Sequence, residues 1–155
     1  MHIRPGDIIF IHVNSWSNFL TMLRLRVWWT HSAMMGDNGK TIEMTDKNVR
    51  FLTFKKRYAA KKIMIITFKN LSYKDRKKLV QTALEMYDKK FDRLRLLIPG
   101  LPQLRKNRFV CTTFIDTVYQ IALGKKINVT KMMRLNKKYL KEIDATIVYD
   151  YRKNK

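Results

Sequence analysis

The densest apolar runs in this 155-residue chain are only four or five residues long, and that bounds what it can fold into. They fall far short of the roughly 20 residues that a helix needs to cross a bilayer. They do suit buried strands. The stretch "GDIIFIHV" (Gly6 to Val13) is rich in β-branched residues and follows a Pro-Gly pair. "KIMIITF" (Lys62 to Phe68) is a continuous apolar run that reads as a central strand. Between and after them the apolar period changes to that of helices, so both kinds of element are expected in one fold.

The helical segments are marked by caps. "SWSNFLTMLRLRV" opens with Ser15 and repeats apolar residues at Trp16, Phe19, Leu20 and Leu23. "SYKDRKKLVQTALEMYDKK" has Ser72 as N-cap and Asp75 three residues on, a capping box. Its apolar stripe is Leu79, Val80, Ala83, Leu84 and Tyr87. "CTTFIDTVYQIAL" ends at Gly124, a residue suited to the left-handed position after a helix. "NVTKMMRLNKKYLKEI" holds one or two short helical turns, and "ATIVYDY" reads as a last strand. "FDRLRLLIPGLPQLRKNR" is broken by Pro99, Gly100 and Pro102. Strands and helices are mixed without βαβ alternation, which predicts an α+β fold with a mostly antiparallel sheet. With 46 % hydrophobic residues and no repeats, the whole chain, 1–155, is expected to form one domain.

The balance of charge is extreme. Thirty-three Lys and Arg stand against 12 Asp and Glu, a formal +21. Such a field attracts nucleic acid, an anionic membrane surface or acidic proteins. No helix-turn-helix, zinc-finger or RNP pattern organises the basic residues, so sequence-specific reading of bases is not indicated. No signal peptide is recognisable, and the expectation is a soluble protein of a cytoplasmic or other intracellular, reducing compartment. The compact, Lys- and Asn-rich composition would suit a viral or phage origin.

A single cysteine, Cys111, rules out an internal disulfide framework and Cys-based zinc sites. Cys111 starts the helix "CTTFIDTVYQIAL". It is either a small buried hydrophobe or a nucleophile whose thiolate is favoured by the helix N-terminus. A nucleophilic thiol needs a base, and the base needs an orienting acceptor. His2 is near the terminus, and His12 lies in the first strand with no acid placed to orient it. His31 opens the strand "THSAMM", and the returning strand "KTIEMT" carries Glu43.

Strand parity tests that pair. A three-residue loop, Asp37-Asn38-Gly39 with Gly39 left-handed, sets Gly36 opposite Lys40 and Ala33 opposite Glu43. His31 and Glu43 then share a face as diagonal neighbours, their backbones about 7–8 Å apart. A two-residue loop would send them to opposite faces.

The ordered set "PGDIIF", "THSAMMGDNGKTIE" and "FVCTTFI" resembles the circularly permuted branch of the papain-like NlpC-type superfamily, the YiiX/YebB-like group with its poxviral relatives. The likeness orders the chain from residue 4 to about 124. It departs at Thr30, at Ala33-Met34-Met35 and at Thr112-Thr113, where that group has Ser, Val-Gly-Ile and Ser-Glu. The resemblance implies a permuted papain-like fold with Cys111 as nucleophile, His31 as base and Glu43 as the residue orienting His31. It implies a thiol hydrolase or acyltransferase of amide or ester bonds in a peptide or lipid substrate, with no metal or organic cofactor. The apolar, base-flanked segment Arg93 to Lys106 could line an acyl-chain pocket, dip into an anionic membrane surface, or pack on the sheet. The alternative function is a non-catalytic nucleic-acid- or membrane-associated protein, such as a virion component, on the same fold.

Overall fold

The computed structural model describes residues 3–13, 22, 26–45, 47–58, 62–92 and 108–151. The strands among them are β1 (Ile8–His12), β2 (His31–Met35), β3 (Lys40–Met44), β4 (Val49–Thr53), β5 (Lys62–Phe68), β6 (Lys90–Phe91), β7 (Arg108–Phe109) and β8 (Ala145–Asp150). The helices are α1 (Phe54–Tyr58), α2 (Tyr73–Glu85), α3 (Cys111–Leu123), α4 (Val129–Met133) and α5 (Lys137–Glu142). The helix expected from Ser15 and the segment Arg93 to Lys106 lie outside the described residues, as does His2.

Six strands form one antiparallel sheet in the order β4-β3-β2-β1-β5-β8. The fold is α+β, as the mixed apolar periods predict. The two apolar runs become the neighbouring central strands β1 and β5, with Ile9 opposite Ile65. Both faces of these strands are covered, which is why their residues are apolar without alternation. One face packs α2 and α3 through Ile8, Phe10, Met34, Met64, Leu79, Phe114 and Val118. The other holds a smaller cluster of Ile9, Ile11, Ala33, Met35, Tyr58, Ile63 and Ile65.

The capping box of α2 forms as its sequence indicates. The Ser72 side chain accepts from the Asp75 amide, and the Asp75 carboxylate accepts from the Ser72 amide at 3.1 Å. The apolar stripe is narrower than its spacing suggests. Leu79, Val80 and Ala83 are buried, but Leu84 and Tyr87 are 42 % and 54 % exposed. Arg76 is buried in their stead, drawn inward by Asp7. A short parallel pair, β6 with β7, brackets the Pro-containing segment and was not evident in the residue pattern. Neither was β4 with the helix that follows it, because their basic residues mask the alternation.

A turn before β1 ties the layers together. Gly6 has φ of +82°, and a Cβ there would meet Leu79 Cδ1 at 2.9 Å. Only glycine fits such a place without strain. Asp7 accepts from Arg76 at 2.9 Å and from the Thr67 hydroxyl at 2.6 Å. Arg76 also donates to the carbonyl oxygens of Pro5 and Phe68. Asp7 and Arg76 are both almost fully buried. Removing one partner strands the other charge, so Arg76→Leu should cost about 3–5 kcal/mol. Urea unfolding checks this, and a loss below about 1 kcal/mol would show that the pair is not an anchor.

Candidate active site

The β2–β3 hairpin sets the first half of the site. The Gly36 amide donates to the Lys40 carbonyl at 2.9 Å, and the Lys40 amide to the Asp37 carbonyl at 3.1 Å. Met35 pairs with Thr41 and Met34 with Ile42. The loop is therefore the three residues Asp37-Asn38-Gly39, with Gly39 left-handed at φ +68°. His31 and Glu43 fall on one face of the sheet. Their side chains close the diagonal gap, with His31 Nε2 3.1 Å from Glu43 Oε2.

Glu43 is wholly buried, so its carboxylate needs donors. Three converge on it: His31 on one oxygen, and the hydroxyls of Thr41 (2.9 Å) and Tyr58 on the other. Burial pushes the carboxyl pKa upward, but His31, Tyr58 and Thr41 outweigh it and hold the group below its ordinary value. Glu43 is therefore an anion. Thr41 and Tyr58 escape a reading of the sequence by motif. Thr41 could have been found by parity, since it lies two residues before Glu43 on the same face. Tyr58 arrives on α1 and had no such signal.

The other half is α3. Cys111 is its first residue and is only partly buried. The N-cap is Val110, which has no side-chain oxygen to cap the first-turn amides. These N–H groups and the helix dipole are thus directed at the thiol and at whatever binds beside it. Thr113 occupies the place of an acidic residue in the permuted group. Its hydroxyl accepts from the Val110 amide at 3.1 Å, the reach-back that a capping-box acid makes.

The Cys111 thiol lies beside the His31 ring, and the two groups act on one another electrostatically. With Nε2 engaged by Glu43, the nitrogen left for the thiol is Nδ1. Burial opposes charge on both groups. For the thiol, the His31 ring and then Ser32 more than offset this and lower its pKa. For the imidazole, Cys111 and then Glu43 more than offset burial and raise it to about 9. The two shifts are reciprocal: each group favours the charged form of the other. The His31 side chain is 22 % exposed, so the pair can be reached from outside.

His12 takes no part. Its Nδ1 is 2.8 Å from the Trp28 carbonyl, and its ring stacks on Trp28 with centroids 4.1 Å apart. Trp28 and Trp29 divide as packing residues do: Trp29 is fully buried and Trp28 is 40 % exposed.

Comparison with solved structures finds a protein described as metalloprotein yiiX of Escherichia coli O157:H7. It is 22 % identical, with a TM-score of 0.72 over 95 % of this chain and 97 % of that one. The likeness shows the fold. Among the described residues of this chain, no group of three His, Cys, Asp or Glu side chains could hold a metal ion. Comparison with curated proteins finds no match. The profile of the family described as "Permuted papain-like amidase enzyme, YaeF/YiiX, C92 family" matches residues 2–154. With a permuted order of elements and nearly its full length matched, this chain belongs to the permuted papain-like amidase family.

Proposed function

We propose that the protein is a cysteine amidase or esterase that works through Cys111, His31 and Glu43. The observation that carries this reading is the continuous contact from the Glu43 carboxylate through the His31 ring to the Cys111 thiol at a helix N-terminus. The thiol proton passes to His31 and the sulfur attacks a carbonyl carbon. The developing oxyanion faces the uncapped first-turn amides of α3. As the intermediate collapses, His31 returns the proton to the departing amine or alcohol, leaving a thioester on Cys111. His31 then takes a proton from water, which cleaves the thioester. Were an alcohol or amine to enter in place of water, the same steps would give acyl transfer to it. The substrate is an acyl amide or acyl ester of peptide or lipid type. Glu43 stays ionised and steadies the imidazolium.

The site residues should separate by role. His31→Ala removes the acid–base group and should lower turnover by roughly 10²–10⁴. Glu43→Gln keeps an acceptor but loses the charge, so its loss should be smaller. Both should move the onset of Cys111 alkylation by iodoacetamide to higher pH. Identical alkylation profiles in wild type and both mutants would mean that the thiol works alone. Tyr58→Phe takes one donor from Glu43, and its effect should be smaller than that of Glu43→Gln.

The pH dependence follows from the two shifts. Turnover needs the sulfur as anion and His31 protonated. Activity against an acyl-amide library should rise with pH as the thiol ionises, below the usual cysteine range. It should fall as His31 loses its proton at about 9. A profile still climbing well above that pH would exclude a protonated His31 as the acid.

A second reading concerns the charge, and a specific surface favours it. Lys125 to Lys141 contains seven Lys or Arg and no acidic residue. All seven cations are exposed, while Ile127, Val129, Met132, Met133 and Leu140 are buried beneath them. This cap follows the C-terminal end of α3, about 20 Å along the helix from Cys111. We read it as an electrostatic docking surface for nucleic acid or an anionic membrane. Binding to DNA fragments or phosphatidylserine vesicles should fall steeply with salt and survive Cys111→Ala. Lys137→Gln with Lys138→Gln should weaken it, and binding indifferent to salt would contradict this reading.

A further inference from the structure

Ser32 is out of place. It lies in β2 opposite Phe10 of β1, on the sheet face that packs α3. Its neighbours on that face, Phe10 and Met34, are fully buried and apolar. Ser32 is itself 1 % exposed, and its hydroxyl makes no regular hydrogen bond to any described group. Leaving a buried hydroxyl unpaired carries a desolvation penalty that an alanine at the same position would avoid. A polar group kept on an apolar face at that cost calls for a partner that appears only in another state.

Beside it lies the Cys111 sulfur, at the start of the helix that packs on this face. Both the side chain and the backbone amide of Ser32 lie against it. The amide is free to point there because the β2–β3 ladder runs only through Met34–Ile42 and Met35–Thr41. The strands therefore stop pairing before Ser32. His31 approaches the same sulfur from the first position of the strand. Two consecutive residues of β2 thus adjoin the Cys111 sulfur, one suited to accept its proton and one to donate to it.

We infer that Ser32 is a second anchor of the Cys111 thiolate, its hydroxyl turning to donate to Sγ when the thiol proton has moved to His31. The inference rests on the Cys111–His31–Glu43 reading and deepens it. No atom is gained or lost in this step. The S–H bond breaks, the proton is carried by His31, and the Ser32 O–H reorients toward the anion. A hydroxyl idle beside a neutral thiol and engaged by a thiolate favours the charged form selectively. A donor that is satisfied in both forms would not.

The experiment is the rate of iodoacetamide alkylation of the full chain against pH. Ser32→Ala should move the midpoint upward and slow alkylation roughly tenfold at pH values below it. Well above the midpoint the rates should converge, because the sulfur is then ionised in both proteins. Melting temperature should be unchanged or raised, since the residue lost was unpaired. Ser32→Thr, which keeps the hydroxyl, should retain the wild-type midpoint, whereas Ser32→Val, of similar shape, should behave as Ser32→Ala. The Thr and Val pair decides the matter if the alanine variant fails to fold. If the hydroxyl-lacking variants keep the wild-type midpoint while His31→Ala moves it, the inference on Ser32 is overturned and the His31 reading stands. If His31→Ala also leaves it unmoved, both fall.

Discussion

The structure turns on a buried ion, Asp7. Its carboxylate sits at the entrance to the first strand, almost without solvent, and is held by Arg76 and Thr67. The turn around it reaches every layer. The Gly6 amide donates to the Met35 carbonyl, and the Met35 amide to the Asp7 carbonyl. That fixes the strand carrying His31. The Tyr119 hydroxyl donates to the Gly6 carbonyl at 2.5 Å, which fixes the helix carrying Cys111. Burial pushes the Tyr119 hydroxyl pKa upward, so it remains a neutral donor. One turn of backbone thus sets the distance between the two halves of the candidate site. It does so through groups whose separation from their partners would leave buried charge or unpaired polar atoms.

The site itself shows how burial and pairing compete. An isolated buried carboxyl, thiol or imidazole would each become neutral. Here each is shifted toward its charged form by the next one. Glu43 is saturated with donors, so it can stay anionic and hold His31 protonated. His31 in turn draws the proton from Cys111. Removing any link returns the others toward their neutral forms, which is why the effects of mutation should be strongly non-additive.

The fold separates the candidate site from the basic cap of Lys125 to Lys141. Seven cations lie beyond the C-terminal end of α3, and Cys111 lies at its N-terminal end. Across a helix-length gap and in ordinary salt the patch has little influence on the sulfur, since the Debye length is about 8–10 Å. A docked polyanion would leave the thiol end uncovered.

Much of this was written locally. The runs at Ile8–Ile11 and Ile63–Met64–Ile65–Ile66 determined two central strands, because nothing else of that length and composition buries so well. Ser72 with Asp75 determined where α2 begins, and Gly124 where α3 ends, through hydrogen bonds and backbone angles that involve only neighbours. Strand parity, a local count, tied the shared face of His31 and Glu43 to a three-residue loop Asp37–Gly39, and the structure supplied that loop length. What only the tertiary structure decided needed contacts between distant segments. Leu84 and Tyr87 matched the helical period yet stayed exposed, and Arg76 went inward, because Asp7 was waiting nearly seventy residues earlier. Tyr58 and Ser32 became part of the site through strand order and helix placement. Neither residue's spacing from Glu43 or Cys111 in sequence carries that information, since packing across a sheet brings together residues whose separation along the chain is arbitrary.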